Sequence, residues 1–307
     1  MRVVRKICHI TLIGLTFSPS HAQSQSARSQ PNDDGLSHTH IFGGNINIQG
    51  MHQQFSLANS KGPLPIGVTA SVQKWLTGPP LANLYTQMAQ GYIPVTDKLK
   101  VVFSEIFQKQ GNIELANIVA GVSYQAGSHL SINATSGLGT NAQNTYRYSF
   151  YFSPQYTLPY TQNNKKIFSA EAGLTYQNFE LGEFTQITPK LNWHVSDSLP
   201  LVSIGYSFGN FKNTSNQKTN GYYQPKTLNG AMLTGVVKPS EFSFLALTWY
   251  PANRNNIAGF DVIQDTVGAT LHYNWSSQLR FSVFSQFQVT RGSGNDVALG
   301  VSASFNF

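Results

Sequence analysis

Asn295-Asp296-Val297-Ala298-Leu299-Gly300-Val301-Ser302-Ala303-Ser304-Phe305-Asn306-Phe307 closes the sequence, and its reading decides the fold. From Val297 every second residue is apolar: Val297, Leu299, Val301, Ala303, Phe305 and Phe307. The residues between them are small or polar. Strict alternation sends one set to each face of a β-strand. Such a strand either lays its apolar face on a globular core or turns it to lipid and its polar face to a lumen.

Composition separates these two settings. Only 11% of the 307 residues are charged, against about 25% in an average soluble domain. Aromatic residues reach 12%. Mean hydropathy is −0.21, and no stretch is long and apolar enough to read as a membrane helix. Low charge without long apolar runs fits a transmembrane barrel, apolar toward lipid and polar within. The net charge of +7 includes Arg2, Arg5 and Lys6 at the start; the other basic residues are scattered. No basic run marks a nucleic-acid surface, so no nucleic-acid partner is expected.

Residues 1–22 read as a secretory signal. Arg2, Arg5 and Lys6 form its basic start, residues 7–17 its apolar segment, and Ser20-His21-Ala22 its cleavage site. Cleavage removes Cys8, the only cysteine, and with it any disulfide, thiolate ligand or cysteine nucleophile. Residues 23–40 are polar and read as a disordered periplasmic tail, too short for a plug. His38 and His40 are two histidines in such a tail, which seldom suffice for a metal. No cofactor and no metal are expected.

Residues 41–307 read as the barrel. Residues 42–57 alternate weakly around Gly50 and form one strand or a hairpin. Strands follow at 66–76, 84–95 and 99–108. Apolar rows then run through Ala116 to Tyr124, Leu130 to Ala134, Tyr146 to Tyr156, Phe168 to Tyr176, Ile187 to Val195, Val202 to Phe208, Val267 to Trp275 and Leu279 to Val283. Strands near 230–237 and 242–249 have no assignable faces. Several rows end in aromatics, namely Tyr124, Tyr156, Tyr176, Trp193, Tyr206, Tyr273 and Trp275, which suit a lipid–water interface. Short turns at Thr96-Asp97-Lys98, Gly127-Ser128, Ser196-Asp197-Ser198 and Ser276-Ser277 alternate with longer polar stretches, notably 209–227 and 251–262. About fifteen segments emerge, whereas a single-chain bacterial barrel has an even number. The expectation is an all-β, single closed antiparallel transmembrane barrel of 14–16 strands, the uncertain segment being 42–57. A soluble β-sandwich is the alternative, needing a second sheet against each apolar face.

On the clearest strands the inward positions are Arg147, Glu171, Lys190, Asn192, His194, His272 and Arg280, among Ser, Thr, Gly and Gln. A polar, slightly basic lumen predicts a water-filled passage for neutral or mildly anionic solutes. The alternative is an interior filled by its own ion pairs and hydrogen bonds. Arg280 and Asp296, on neighbouring strands, read as a lumen salt bridge. A hydrolase would need Ser, His and an orienting group within reach. His194 with Asn192 and His272 with Asn274 share inward faces, but no Ser motif stands beside them, so no enzyme is expected.

Tyr156-Thr157-Leu158-Pro159, then Ala172-Gly173-Leu174-Thr175-Tyr176, then Gly205-Tyr206-Ser207-Phe208-Gly209 resemble the YaiO-type outer-membrane β-barrel family. The end of the chain, Phe305 and Phe307, resembles the C-terminal insertion signal by which the barrel-assembly machinery takes up outer-membrane barrels. The family resemblance implies a barrel with no established chemistry and a distant similarity to barrels that let exopolysaccharide out. The expected partners are the outer-membrane bilayer of a Gram-negative cell, the assembly machinery, and a hydrophilic solute or polysaccharide. The expected role is a passive channel or export conduit. The alternatives are a structural barrel or one binding a partner through long external loops, and an outer-membrane hydrolase.

Overall fold

The computed structural model describes residues 66–306, with breaks at 77–83, 111–112, 141–145, 159–160, 163–164, 167, 180–181, 197, 214–224, 258–259, 277 and 291–293. The leader, the tail with His38 and His40, the 42–57 segment and Phe307 lie outside the described residues.

The strands are β1 (Ile66–Trp75), β2 (Leu84–Pro94), β3 (Leu99–Gln110), β4 (Ile113–Gln125), β5 (Leu130–Gly139), β6 (Tyr148–Thr157), β7 (Thr161–Gln162), β8 (Lys165–Lys166), β9 (Phe168–Asn178), β10 (Gly182–Trp193), β11 (Leu201–Asn213), β12 (Pro225–Ser240), β13 (Ser243–Ile257), β14 (Phe260–Asn274), β15 (Leu279–Thr290) and β16 (Gly294–Asn306). All but β7 and β8, which pair only with each other, form one closed antiparallel barrel of 14 strands. Closure is made by β16 against β1, from Gly67 opposite Asn306 to Trp75 opposite Ala298. The terminal strand that carries the alternation is therefore the seam, and closure uses no strand before Ile66. A closed wall also removes the sandwich alternative, because no edge remains.

Side chains inside a cylinder converge and shield one another, while those outside diverge. On β10, Phe184, Gln186, Thr188 and Lys190 are buried, whereas Ile187, Leu191 and Trp193 are exposed. The exposed face elsewhere carries Ile118, Val122, Leu138, Phe150, Leu174, Ile204, Leu247, Leu271, Val283, Leu299 and Val301. The burial order of a soluble core is inverted: the outside is apolar and the inside largely polar. A charge interrupts the apolar outer face on β3. Glu105 on β3 stands exposed between Phe103 and Phe107, with Ala89 and Ile118 opposite it.

Three turns at the lower rim, where β1 begins and β16 ends, share a device. Leu99 N–H donates to Thr96 Oγ1, Leu199 N–H to Ser196 Oγ and Leu279 N–H to Ser276 Oγ, each at 3.0 Å. In each turn the hydroxyl lies three residues before the leucine whose N–H it accepts, the first residue of β3 and of β15 and a turn residue ahead of β11. Gly127, at φ 147°, makes the β4–β5 turn in a conformation that side chains avoid. Tyr124, Tyr156, Phe168, Trp193, Tyr273 and Trp275 ring this rim outside, and Phe168 stacks on Trp193 with centroids 5.8 Å apart. Tyr176 instead meets Tyr148 near the upper rim at 6.0 Å. Tyr206 sits in mid-wall beside Phe208, not at a row end as the sequence suggested.

The wall is uneven in height. Ten-residue β5 spans about 26 Å along the barrel axis and 16-residue β12 about 42 Å, at roughly 3.4 Å per residue and a tilt of about 40°. Residues 251–262 are not the long loop expected: β13 runs to Ile257, β14 starts at Phe260, and Asn255 pairs with Val262. Above lipid a strand no longer needs an apolar face, so its alternation ends while its pairing continues.

The inner wall as a candidate functional site

Register places Glu171 on β9 directly opposite Lys190 on β10. Lys190 Nζ lies 3.7 Å from Glu171 Oε1, with side chains 5% and 18% exposed. The same carboxylate oxygen accepts from Ser153 Oγ at 2.8 Å and from Tyr151 Oη at 3.2 Å. Two glycines make room. A Cβ at Gly205 would meet the Lys190 stem at 2.9 Å, and one at Gly173 would meet the Tyr151 hydroxyl at 3.3 Å. Below this cluster the network continues. Ser169 Oγ accepts from Gln155 Nε2 at 3.0 Å, and Ser203 Oγ donates to Asn192 Oδ1 at 2.7 Å. Together β6, β9, β10 and β11 present a satisfied polar wall.

Other sectors differ. Met88, Ile106, Met232, Val236 and Ala298 are buried on inward positions, so the lumen is less uniformly polar than the sequence implied. The Phe284 ring lies against Gly300, where a Cβ would fall within contact of three ring carbons. At the upper rim Tyr146, Phe179 and Phe184 form a buried cluster. Tyr146 precedes β6 and leaves the outward aromatic row. Its hydroxyl reaches the inner side of Gly137, and burial pushes the phenol above its usual range.

Near the lower rim His272 Nδ1 is 2.7 Å from Ser282 Oγ, and Arg280 Nε donates to Asn274 Oδ1 at 2.8 Å. Lys100 Nζ stands 4.6 Å from the centre of the Tyr92 ring, and Lys238 Nζ 5.9 Å from that of Phe244.

Of the residues singled out in the sequence, Glu171 and Lys190 come together and His272 and Arg280 lie near one another on β14 and β15. Arg147 does not join them; it precedes β6 and is exposed at the upper rim. His194 follows the last residue of β10, exposed in the lower turn, with Nδ1 2.7 Å from the Pro200 carbonyl oxygen. Strict alternation continued past each strand's end had put both inside. The Arg280–Asp296 bridge does not fit the register. Arg280 opposes Ser304 while Asp296 opposes Gln288, a separation of eight residues or about 27 Å. Phe305 is an outward, exposed residue near the end of β16. Sequence reading missed Lys100 and Lys238. Alternation does put Ser282 on the polar row with Arg280, but its contact with His272 depends on the β14–β15 register.

The His272–Ser282 contact places a hydroxyl beside an imidazole. Its charged neighbour is Arg280, and among the described residues no carboxylate completes it. Ser282 is 5% exposed, which hinders access by a substrate. No group of three metal-ligating side chains assembles among the described residues.

No family model matches the chain, and no curated protein matches it. Solved structures do resemble it. The translocator domain of autotransporter NalP from Neisseria meningitidis is 10% identical, with TM-score 0.43 over 88% of this chain and 97% of that one. A loop-deleted OmpT, an outer membrane protein of Vibrio cholerae, is 10% identical, with TM-score 0.49 over 80% and 98%. An anion-selective porin from Comamonas acidovorans is 11% identical, with TM-score 0.47 over 80% and 98%. Each is similar in being a barrel wall of this kind, and at that identity and overlap none carries its solute over to this chain.

Proposed function

We propose that this chain is an outer-membrane β-barrel acting as a passive channel or export conduit for a hydrophilic solute or saccharide. The observation that carries this reading is the inverted burial on a closed barrel: apolar residues outside, hydrogen-bonded polar residues inside. Lipid is the solvent that rewards the outer face, and water or a hydrophilic passenger suits the inner one. Fourteen tilted strands about 4.8 Å apart give a backbone diameter of about 28 Å, wide enough to leave space between facing side chains. In this reading the lower rim, where β1 begins and β16 ends, faces the periplasm. The YaiO-type resemblance and uptake of β16 by the assembly machinery belong to the same reading. A non-catalytic role is part of the same proposal.

The test is conductance of the refolded protein in a planar lipid bilayer. Discrete current steps are expected. A correctly folded barrel that stays electrically silent overturns the reading. A second reading, binding of an external partner, is favoured by the β12–β14 wall, which rises about 15 Å above the shorter strands at that tilt. Deletion of residues 214–224 separates the two, since it removes partner binding in one case and spares conductance in the other.

A further inference from the structure

We propose that Lys100, Lys238 and Arg280 form an anion-selecting ring at the lower mouth of the barrel, taking hydrophilic solutes that carry carboxylate, phosphate or sulfate groups. This rests on the channel reading above and names the class of passenger.

Three observations carry it. The first is an imbalance of charge. By register the inward face carries Lys100, Lys190, Lys238 and Arg280 against two carboxylate positions, Glu171 on β9 and Asp296, which opposes Gln288 near the upper rim. The second is pairing. Glu171 meets Lys190. A second ion pair joins Lys109 to Glu114, both exposed. The three remaining cations rest on neutral partners: Lys100 over Tyr92, Lys238 over Phe244, and Arg280 on the Asn274 amide. A ring face or an amide oxygen fixes a cationic head without cancelling its charge. Asp97 and Glu241 lie in adjoining turns, exposed, and bridge none of the three.

The third is placement. Lys100 is the second residue of β3, Arg280 the second of β15, and Lys238 stands two before the end of β12. All three lie at one rim. In the strand order β3 and β12 are separated by seven steps either way round, so Lys100 and Lys238 face each other across the lumen. β15 lies between them, four steps from β3 and three from β12. Unpaired like charges on opposing walls raise the local concentration of anions and exclude cations. Across a mouth about 28 Å wide the field is screened within about 8 Å at physiological salt and reaches across at 0.01 M. Selectivity for small ions therefore grows as salt falls, while a polyanion threading along the wall is held at any moderate salt.

The experiment compares wild type with Lys100→Gln/Lys238→Gln/Arg280→Gln in planar bilayers under a potassium chloride gradient. A heat-modifiability gel shift confirms folding of both, and Lys238→Gln alone serves if the triple variant does not refold. Wild type should pass chloride over potassium by about threefold at 0.1 M, more at 0.01 M. The triple variant should keep its current steps and lose the preference. A wild type that conducts but prefers cations or neither ion overturns the ring and leaves the channel standing. An unchanged preference in the variant does the same.

If wild type does not conduct, the channel reading falls and the ring is still tested by calorimetric titration in detergent. Sulfated, phosphorylated and carboxymethylated dextrans should bind wild type at least tenfold more tightly than the triple variant, and ranking them distinguishes the anionic group. Neutral dextran should not distinguish the two proteins. Equal binding of the charged dextrans by both overturns the proposal.

Discussion

Removing the negative partner of the Glu171–Lys190 ion pair should harm the barrel more than removing the positive one. Lys190 has a side chain 5% exposed and pairs with Glu171. Glu171→Gln keeps an acceptor oxygen for Ser153 and Tyr151 but leaves the ammonium buried and unmatched. Breaking a buried pair in this way costs about 3–5 kcal/mol. The 3.7 Å separation and the partial opening of Glu171 place this case near the lower end, about 3 kcal/mol. Lys190→Met leaves a carboxylate that still accepts two hydrogen bonds, each worth about 1.5–3 kcal/mol to a charged group. The expected loss is then about 1–2 kcal/mol. The double variant removes both charges and should fall within about 1 kcal/mol of wild type, showing coupling of about 2 kcal/mol or more. Urea unfolding in lipid vesicles, followed by tryptophan fluorescence, reads these differences. Equal losses for the two single variants, or a strictly additive double variant, would refute the asymmetry and with it the claim that the pair neutralises itself.

Three further outcomes follow from the wall. Glu105→Leu should stabilise the barrel by about 1 kcal/mol in the same assay, because a lipid-facing carboxylate near mid-height is unfavourable, less so than a lysine there; a loss of stability would mean that Glu105 has a partner in the membrane. Gly300→Ala should destabilise by about 1–3 kcal/mol, since its Cβ occupies the place of the Phe284 ring, and Phe284→Leu in that background should restore most of the loss. Gly127→Ala forces a side chain into φ 147° and should cost about 1–3 kcal/mol, read as a lower urea midpoint; no change would show that the turn relaxes freely.

The fold was legible because lipid imposes a rule on one face only. Wherever a strand crosses hydrocarbon its outward residues must be apolar, and alternation follows: Leu299, Val301 and Ala303 on β16, Ile187, Leu191 and Trp193 on β10. Where the rule lapses, legibility lapses with it. Asn253, Arg254, Asn255 and Asn256 read as a loop because β13 had already left the lipid, yet they pair with β14. The faces of β12 were hidden because Met232 and Val236 point inward, so its apolar residues fall on both sides. The strand number was undecidable from pattern alone, since closure is a pairing between the first and last strands and leaves no local mark.

The inner wall is under no such rule, and this is why the site was only half visible. β3 shows the difficulty in one strand. Outward it carries Leu99, Val101, Phe103, Glu105 and Phe107; inward, Lys100, Val102, Ser104 and Ile106. Two apolar residues inside and one charge outside erase the alternation, so nothing in the sequence marks Lys100 as facing the lumen. Its partner also lies on another strand: Tyr92 is brought under it by the β2–β3 register. Glu171 and Lys190 were legible as inward residues because β9 and β10 alternate cleanly, but their pairing was not, since it depends on which residues the ladder sets opposite. An inner charge therefore becomes interpretable only after register is known. Register then separates the charge that is cancelled, at Lys190, from the charges that remain, at Lys100, Lys238 and Arg280. That distinction, more than the count of basic residues, sets the charge presented at the lower mouth.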